Sequence, residues 1–131
     1  MGEKALVDSQ IADSVELIQY LDSTGSPPSS VFWYYYEDAD DWRLVLAGES
    51  LDQHLPKNEH IAYKIIAEAI SEKEIASISV SDIKLMRRDD PLVKTVRFLI
   101  GTGPTGVTKA HFTNTTINGI FIQEMLILRS S

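Results

Sequence analysis

Hydrophobic positions along the chain follow two periods, one typical of helices and one typical of strands. Residues 8–22, 58–71 and 91–100 have apolar side chains at helical spacing, with polar side chains between them. Asn58 and Asp90 stand where helix caps belong, and Pro91 suits the first helical position. The pattern therefore predicts three helices.

Five segments are rich in the β-branched and aromatic residues that favour strands. Asn118 and Gly119 are typical of a tight hairpin turn between the last two segments. The apolar alternation of the third segment breaks near Ser81, which indicates a turn or bulge before the strand. We predict strands at residues 31–36, 42–47, 83–87, 107–113 and 120–128.

The predicted elements follow the order α-β-β-α-β-α-β-β. Two hairpins favour a mainly antiparallel sheet, and helices on one face would leave the other face to solvent or a partner. The length of 131 residues is typical of one domain. The sequence thus predicts a single α+β domain over residues 1–131.

Composition and charge narrow the range of partners. The chain is 44% hydrophobic and 24% charged, as globular proteins are, and its net charge is −7. An acidic surface disfavours binding to phosphate backbones. The basic residues near position 90 are interrupted by acidic ones, so no nucleic-acid partner is predicted. No apolar run is long enough to span a bilayer, so no membrane association and a cytoplasmic location are expected.

The sequence predicts neither a cofactor nor a metal site. Cysteine is absent, which excludes thiolate nucleophiles and cysteine-ligated metals. The acidic turn at residues 37–41 lacks the ligand spacing of a calcium loop. His54, His60 and His111 form no metal-binding pair motif.

A catalytic pair and a ligand-binding loop remain as alternatives. His111 and Glu124 lie on neighbouring predicted strands, where the carboxylate could orient the imidazole of a small enzyme of unknown reaction. The glycine-rich stretch after the third helix could border a small-molecule pocket, although its helix-before-strand order is the reverse of a phosphate loop. Its candidate residues are Gly101, Gly103, Gly106 and Lys109.

The first hairpin contains six of the eleven Phe, Trp and Tyr residues of the chain. Such side chains can brace a core, but on an outer sheet face they form the hot spots of protein interfaces. We predict an interaction surface at Phe32, Tyr34, Tyr36 and Trp42. The sequence therefore favours a non-enzymatic module that binds a protein partner or self-associates, for example as a homodimer; the alternatives are a small-molecule binding domain and a small enzyme.

Overall fold

The computed structural model describes residues 6–131. A 3₁₀ turn, Val80–Asp82, precedes the third strand. The helices are α1 (Asp8–Ser23), α2 (Glu49–Asp52), α3 (Glu59–Glu72) and α4 (Pro91–Leu99). The strands are β1 (Ser30–Tyr36), β2 (Asp41–Ala47), β3 (Ile83–Leu85), β4 (Ala110–Ile117) and β5 (Ile120–Ser130).

The five strands form one sheet in the order β3-β2-β1-β5-β4. Only the β2–β3 pair is parallel, and the other three pairs are antiparallel. The predicted α+β class, the order of the elements and the mainly antiparallel sheet are confirmed. The short helix α2 is an addition that the apolar pattern did not indicate.

Helices pack against both faces of the sheet. On one face, Trp33 and Leu44 join a core with Leu17 of α1 and Ile66 of α3. On the other face, Phe32, Val45 and Ile127 pack with Val93 and Val96 of α4. The expectation that the helices pack on one face holds for α1 and α3 and is wrong for α4, which packs on the opposite face. The physical reason is that β1 is apolar on both faces, so each face needs cover.

Local signals account for the helix start and the hairpin turn. The carboxylate of Asp90 accepts a hydrogen bond from the Leu92 amide at 2.9 Å, which caps α4 ahead of Pro91. Asn118 and Gly119 have φ angles of 52° and 79°, the left-handed pair that a two-residue hairpin turn requires.

The β4–β5 hairpin changes face halfway along its length. Ile122 and Met125 are three residues apart, yet both lie in the α4-side core. The pairing is interrupted opposite Asn114, whose φ is 45°, between the Thr113–Glu124 and Thr115–Ile122 partners. The pairing resumes in the same register and β4 continues to Ile117, beyond the predicted end at residue 113.

Candidate functional site

The four aromatic residues predicted to form an interaction surface divide into two groups. Phe32 is 0% exposed and Trp42 is 4% exposed, and each belongs to a different core. Neither side chain can contact a partner, so the prediction is corrected for these two residues. Tyr34 and Tyr36 are partly exposed.

Tyr34 and Tyr36 form an edge-to-face pair, with ring centroids 4.9 Å apart. The Tyr34 hydroxyl donates a long hydrogen bond to the Phe121 carbonyl at 3.4 Å. Burial raises the pKa of both tyrosines above the ordinary value of 10.0, and for Tyr36 the proximity of Tyr34 adds to this effect. Both phenols are therefore neutral across the physiological pH range.

A notch of about 260 Å³ opens beside this tyrosine pair. It exists because β1 and β5 stop pairing after Tyr34 and Met125, so that the strands separate. Phe121, at the start of β5, borders the notch and is 54% exposed. We call Tyr34, Tyr36 and Phe121 the tyrosine surface. Glu37 and Asp38 also line the notch and give it an acidic rim.

The coverage of the sheet explains why these aromatic groups reach solvent. The α1 and α3 helices share one face, whereas α4 alone packs on the other, against β1 and β5. A nine-residue helix measures about 14 Å by 10 Å, whereas the axes of five strands span about 19 Å. Among residues 6–131, no helix therefore covers the rest of the α4-side face. Tyr34 and its β2 neighbour Arg43 lie there, partly exposed.

His111 and Glu124 form the predicted side-chain contact. His111 Nε2 lies 2.8 Å from Glu124 Oε2, across the diagonal of the β4–β5 ladder. Such a contact fixes the orientation and tautomer of an imidazole. However, the His111 side chain is 52% exposed, so water competes for the ring. Its catalytic role stays a prediction.

The glycine-rich loop is held firmly against β5. The Thr102 amide donates to the Ser130 carbonyl and the Thr108 amide donates to the Leu128 carbonyl, both at 2.7 Å. A Cβ on Gly106 would lie 2.2 Å from the Thr102 carbonyl oxygen, so only glycine fits this closure. These contacts hold the loop at both ends.

Arg129 is wholly buried and hydrogen-bonds to this loop. Its guanidinium makes two 2.8 Å hydrogen bonds to Asp22 at the end of α1. It also donates to the Gly106 carbonyl at 2.9 Å and to the Pro28 carbonyl at 3.2 Å. One side chain thus joins three separate segments of the chain. Sequence patterns do not indicate this role, because arginine is rarely buried and nothing nearby in sequence marks its partner.

An open cleft of about 600 Å³ lies above the segments that Arg129 joins, and we call it the proline cleft. Pro104 and Thr105 from the glycine-rich loop line it, whereas Gly101, Gly103, Gly106 and Lys109 do not. The lining residues are Gly25, Pro27, Pro28, Ser29, Glu49, Ser50, Gln53, Arg88, Pro104, Thr105 and Ser131. The cleft therefore borders the glycine-rich loop without involving the four residues predicted for a ligand site, and ligand binding near the loop stays a prediction.

Among residues 6–131, no group of three or more His, Asp or Glu side chains is arranged to hold a metal ion. In the same part of the chain, no helix combines the length and apolar character needed to cross a bilayer.

Comparison of the chain with protein-family models, curated proteins and solved structures found no match.

Proposed function

We propose that this chain is a non-enzymatic protein-interaction module that docks its partner on the tyrosine surface. The observation that carries the proposal is the exposure of Tyr34, Tyr36 and Phe121 around one notch, at the part of the sheet that α4 leaves open. Aromatic side chains dominate interface hot spots because they bury a large area with few rotatable bonds. Neutral phenols also add hydrogen-bonding groups at such a surface.

Charge indicates the chemistry of the partner. Glu37 and Asp38 border the notch, and the whole chain has a net charge of −7. A partner segment with a lysine or arginine beside an apolar residue would complement this surface, since a cation can lie over a tyrosine ring. A second copy would bring two acidic surfaces together, so we favour a different, basic protein over a homodimer.

Affinity capture from the native host, read by quantitative mass spectrometry, tests the proposal. The bait is compared with a Tyr34→Ser/Tyr36→Ser variant and with Tyr20→Ser, which alters a partly exposed tyrosine on α1 across the sheet. We expect a stoichiometric partner that the double variant loses and the Tyr20 variant keeps. A partner retained equally by all three baits would contradict the proposed surface.

A second variant separates binding from folding, because Tyr34 packs against the α4-side core and Tyr36 packs against Tyr34. The Glu37→Lys/Asp38→Lys variant changes only the exposed rim of the notch. It should keep the thermal midpoint of the parent and weaken capture of a basic partner. Analytical ultracentrifugation of the parent protein tests self-association. A stable dimer that the Tyr34→Ser/Tyr36→Ser variant does not form would show that the surface binds a second copy of the chain instead of a basic partner.

A small-molecule binding function is the second candidate, and the proline cleft favours it. Its volume of about 600 Å³ is within the range of ligand sites. Arg129 ties together the loops around it, which gives the cleft a fixed shape. A ligand that binds the folded state raises the unfolding midpoint. The function would be supported by a metabolite that raises the unfolding midpoint of the parent protein but not of a Thr105→Trp variant, in which the larger side chain fills the cleft. If no compound in a broad panel of metabolites raises the midpoint, the function would be ruled out.

A further inference from the structure

Four cationic side chains surround a further pocket, of about 260 Å³, between α2 and α4. We call it the basic pocket. They represent a third of the twelve lysines and arginines of the chain. Its lining residues are Asp52, Arg87, Arg88, Asp89, Lys94 and Arg97.

Backbone carbonyl groups hold two of these guanidinium groups in place. Arg87 Nη1 donates to the Asp52 carbonyl at 3.3 Å and to the Leu55 carbonyl at 3.1 Å. Arg97 Nη1 donates to the Arg88 carbonyl at 3.0 Å. Carbonyl oxygens have no formal charge, so these bonds restrict the guanidinium groups without neutralising them. A cationic group that is already positioned loses less conformational freedom when it binds an anion.

The two carboxylates of the pocket compensate only part of this charge. Asp89 lies 3.2 Å from Arg87 Nε, and Asp52 Oδ2 lies 3.7 Å from Arg88 Nε. Asp52 Oδ1 also accepts the Arg88 amide at 3.0 Å, which fixes the chain at this point. Four cations against two carboxylates leave a local charge of +2 on a chain of net charge −7. A concave region of this kind attracts anions from solution.

We propose that the basic pocket binds the phosphate group of a small molecule. The planar fork of arginine matches phosphate oxygens, and three of the four cations are arginines. Arg88 also lines the proline cleft, so the organic part of such a ligand has adjoining space. The acidic charge of the rest of the chain repels an extended polyanion, which favours a small ligand over a nucleic acid.

Inorganic pyrophosphate is the probe for this site. Amide resonances are followed by NMR while pyrophosphate replaces chloride at constant ionic strength, so that general salt effects are held fixed. We expect saturable shifts centred on Arg88, Lys94 and Arg97. The Lys94→Gln/Arg97→Gln variant, which alters two exposed side chains, should bind roughly tenfold more weakly.

The matched control is Lys64→Gln/Lys73→Gln, which removes the same charge from exposed positions that do not line the pocket. It should bind pyrophosphate within about twofold of the parent. Equal weakening in both double variants, or shifts that never saturate, would overturn the proposal. A single-stranded oligonucleotide that binds the same residues more tightly than pyrophosphate would replace it with a nucleic-acid site. None of these outcomes depends on the tyrosine surface, so the two proposals fail separately.

Discussion

The guanidinium of Arg129 makes two 2.8 Å hydrogen bonds to the carboxylate of Asp22, 107 positions earlier in the chain. Arg129 is fully buried, whereas the Asp22 side chain is 27% exposed. The pair joins the end of α1 to the last strand, and the same guanidinium reaches the carbonyls of Pro28 and Gly106. One buried ion pair therefore joins the end of α1 to segments that border the proline cleft.

Asp22→Ala should lower the free energy of unfolding by about 3 kcal/mol, because it leaves a buried guanidinium without its counter-ion. Urea denaturation measures this loss. The double variant Asp22→Ala/Arg129→Met should lose less than the two single variants together, since both changes remove the same interaction. Strictly additive losses would show that the pair is not coupled.

Gly106→Ala should destabilise the protein by about 1–3 kcal/mol, because the added Cβ would lie 2.2 Å from the Thr102 carbonyl oxygen. Gly101→Ala is the matched control in the same loop, since a Cβ there meets nothing within 4 Å. Thermal denaturation of both variants tests the closure of the loop. Equal midpoints would mean that the loop does not close at Thr102 and Gly106.

The raised pKa values of Tyr34 and Tyr36 predict a loss of stability at alkaline pH. Burial raises the pKa of both phenols above 10.0, so the folded state favours their neutral form. Their contribution to stability is complete below the unfolded pKa of 10.0 and is lost as the pH rises through the higher folded pKa. When thermal unfolding is measured between about pH 8 and pH 11, the midpoint temperature should fall less steeply with rising pH for Tyr34→Phe/Tyr36→Phe than for the parent protein. Identical slopes would contradict the burial of these hydroxyls.

Ser30→Ala should leave stability unchanged or raise it by about 1 kcal/mol. The Ser30 side chain is fully buried, and its hydroxyl has no hydrogen-bond partner among the described residues. Alanine removes the cost of burying an unpaired hydroxyl. Guanidinium denaturation measures the change, and a loss of 1 kcal/mol or more would indicate a hydrogen bond at this hydroxyl.

Local patterns in the sequence were sufficient for most of the elements. The Asp90–Pro91 cap and the Asn118–Gly119 turn were both predicted, because each depends on residues adjacent in the chain. The sequence placed His111 and Glu124 on neighbouring strands, but it left the register between those strands open. The contact forms because the Asn118–Gly119 turn sets the pairing of β4 with β5.

Features that depend on distant partners were not predictable in this way. The parallel β2–β3 pair and the position of α4 on the second face follow from how the elements assemble, which periodicity does not encode. The burial of Phe32 and Trp42 follows from cover on both faces of β1 and β2. The role of Arg129 was not predictable because its contacts join segments that are far apart in sequence. The basic residues near position 90 were recognised in the sequence, but the pocket that they form with Asp52 of α2 was not predictable from their spacing.

Site-specific photo-crosslinking in the native host tests the docking surface most directly. A photo-reactive amino acid replaces Tyr36 in one bait and Tyr20 in another, so that the two probes lie on opposite sides of the sheet. We predict one dominant crosslinked partner, basic in composition, at position 36 and no corresponding product at position 20. The absence of any specific product at position 36, or the same product at both positions, would contradict the proposed interaction module.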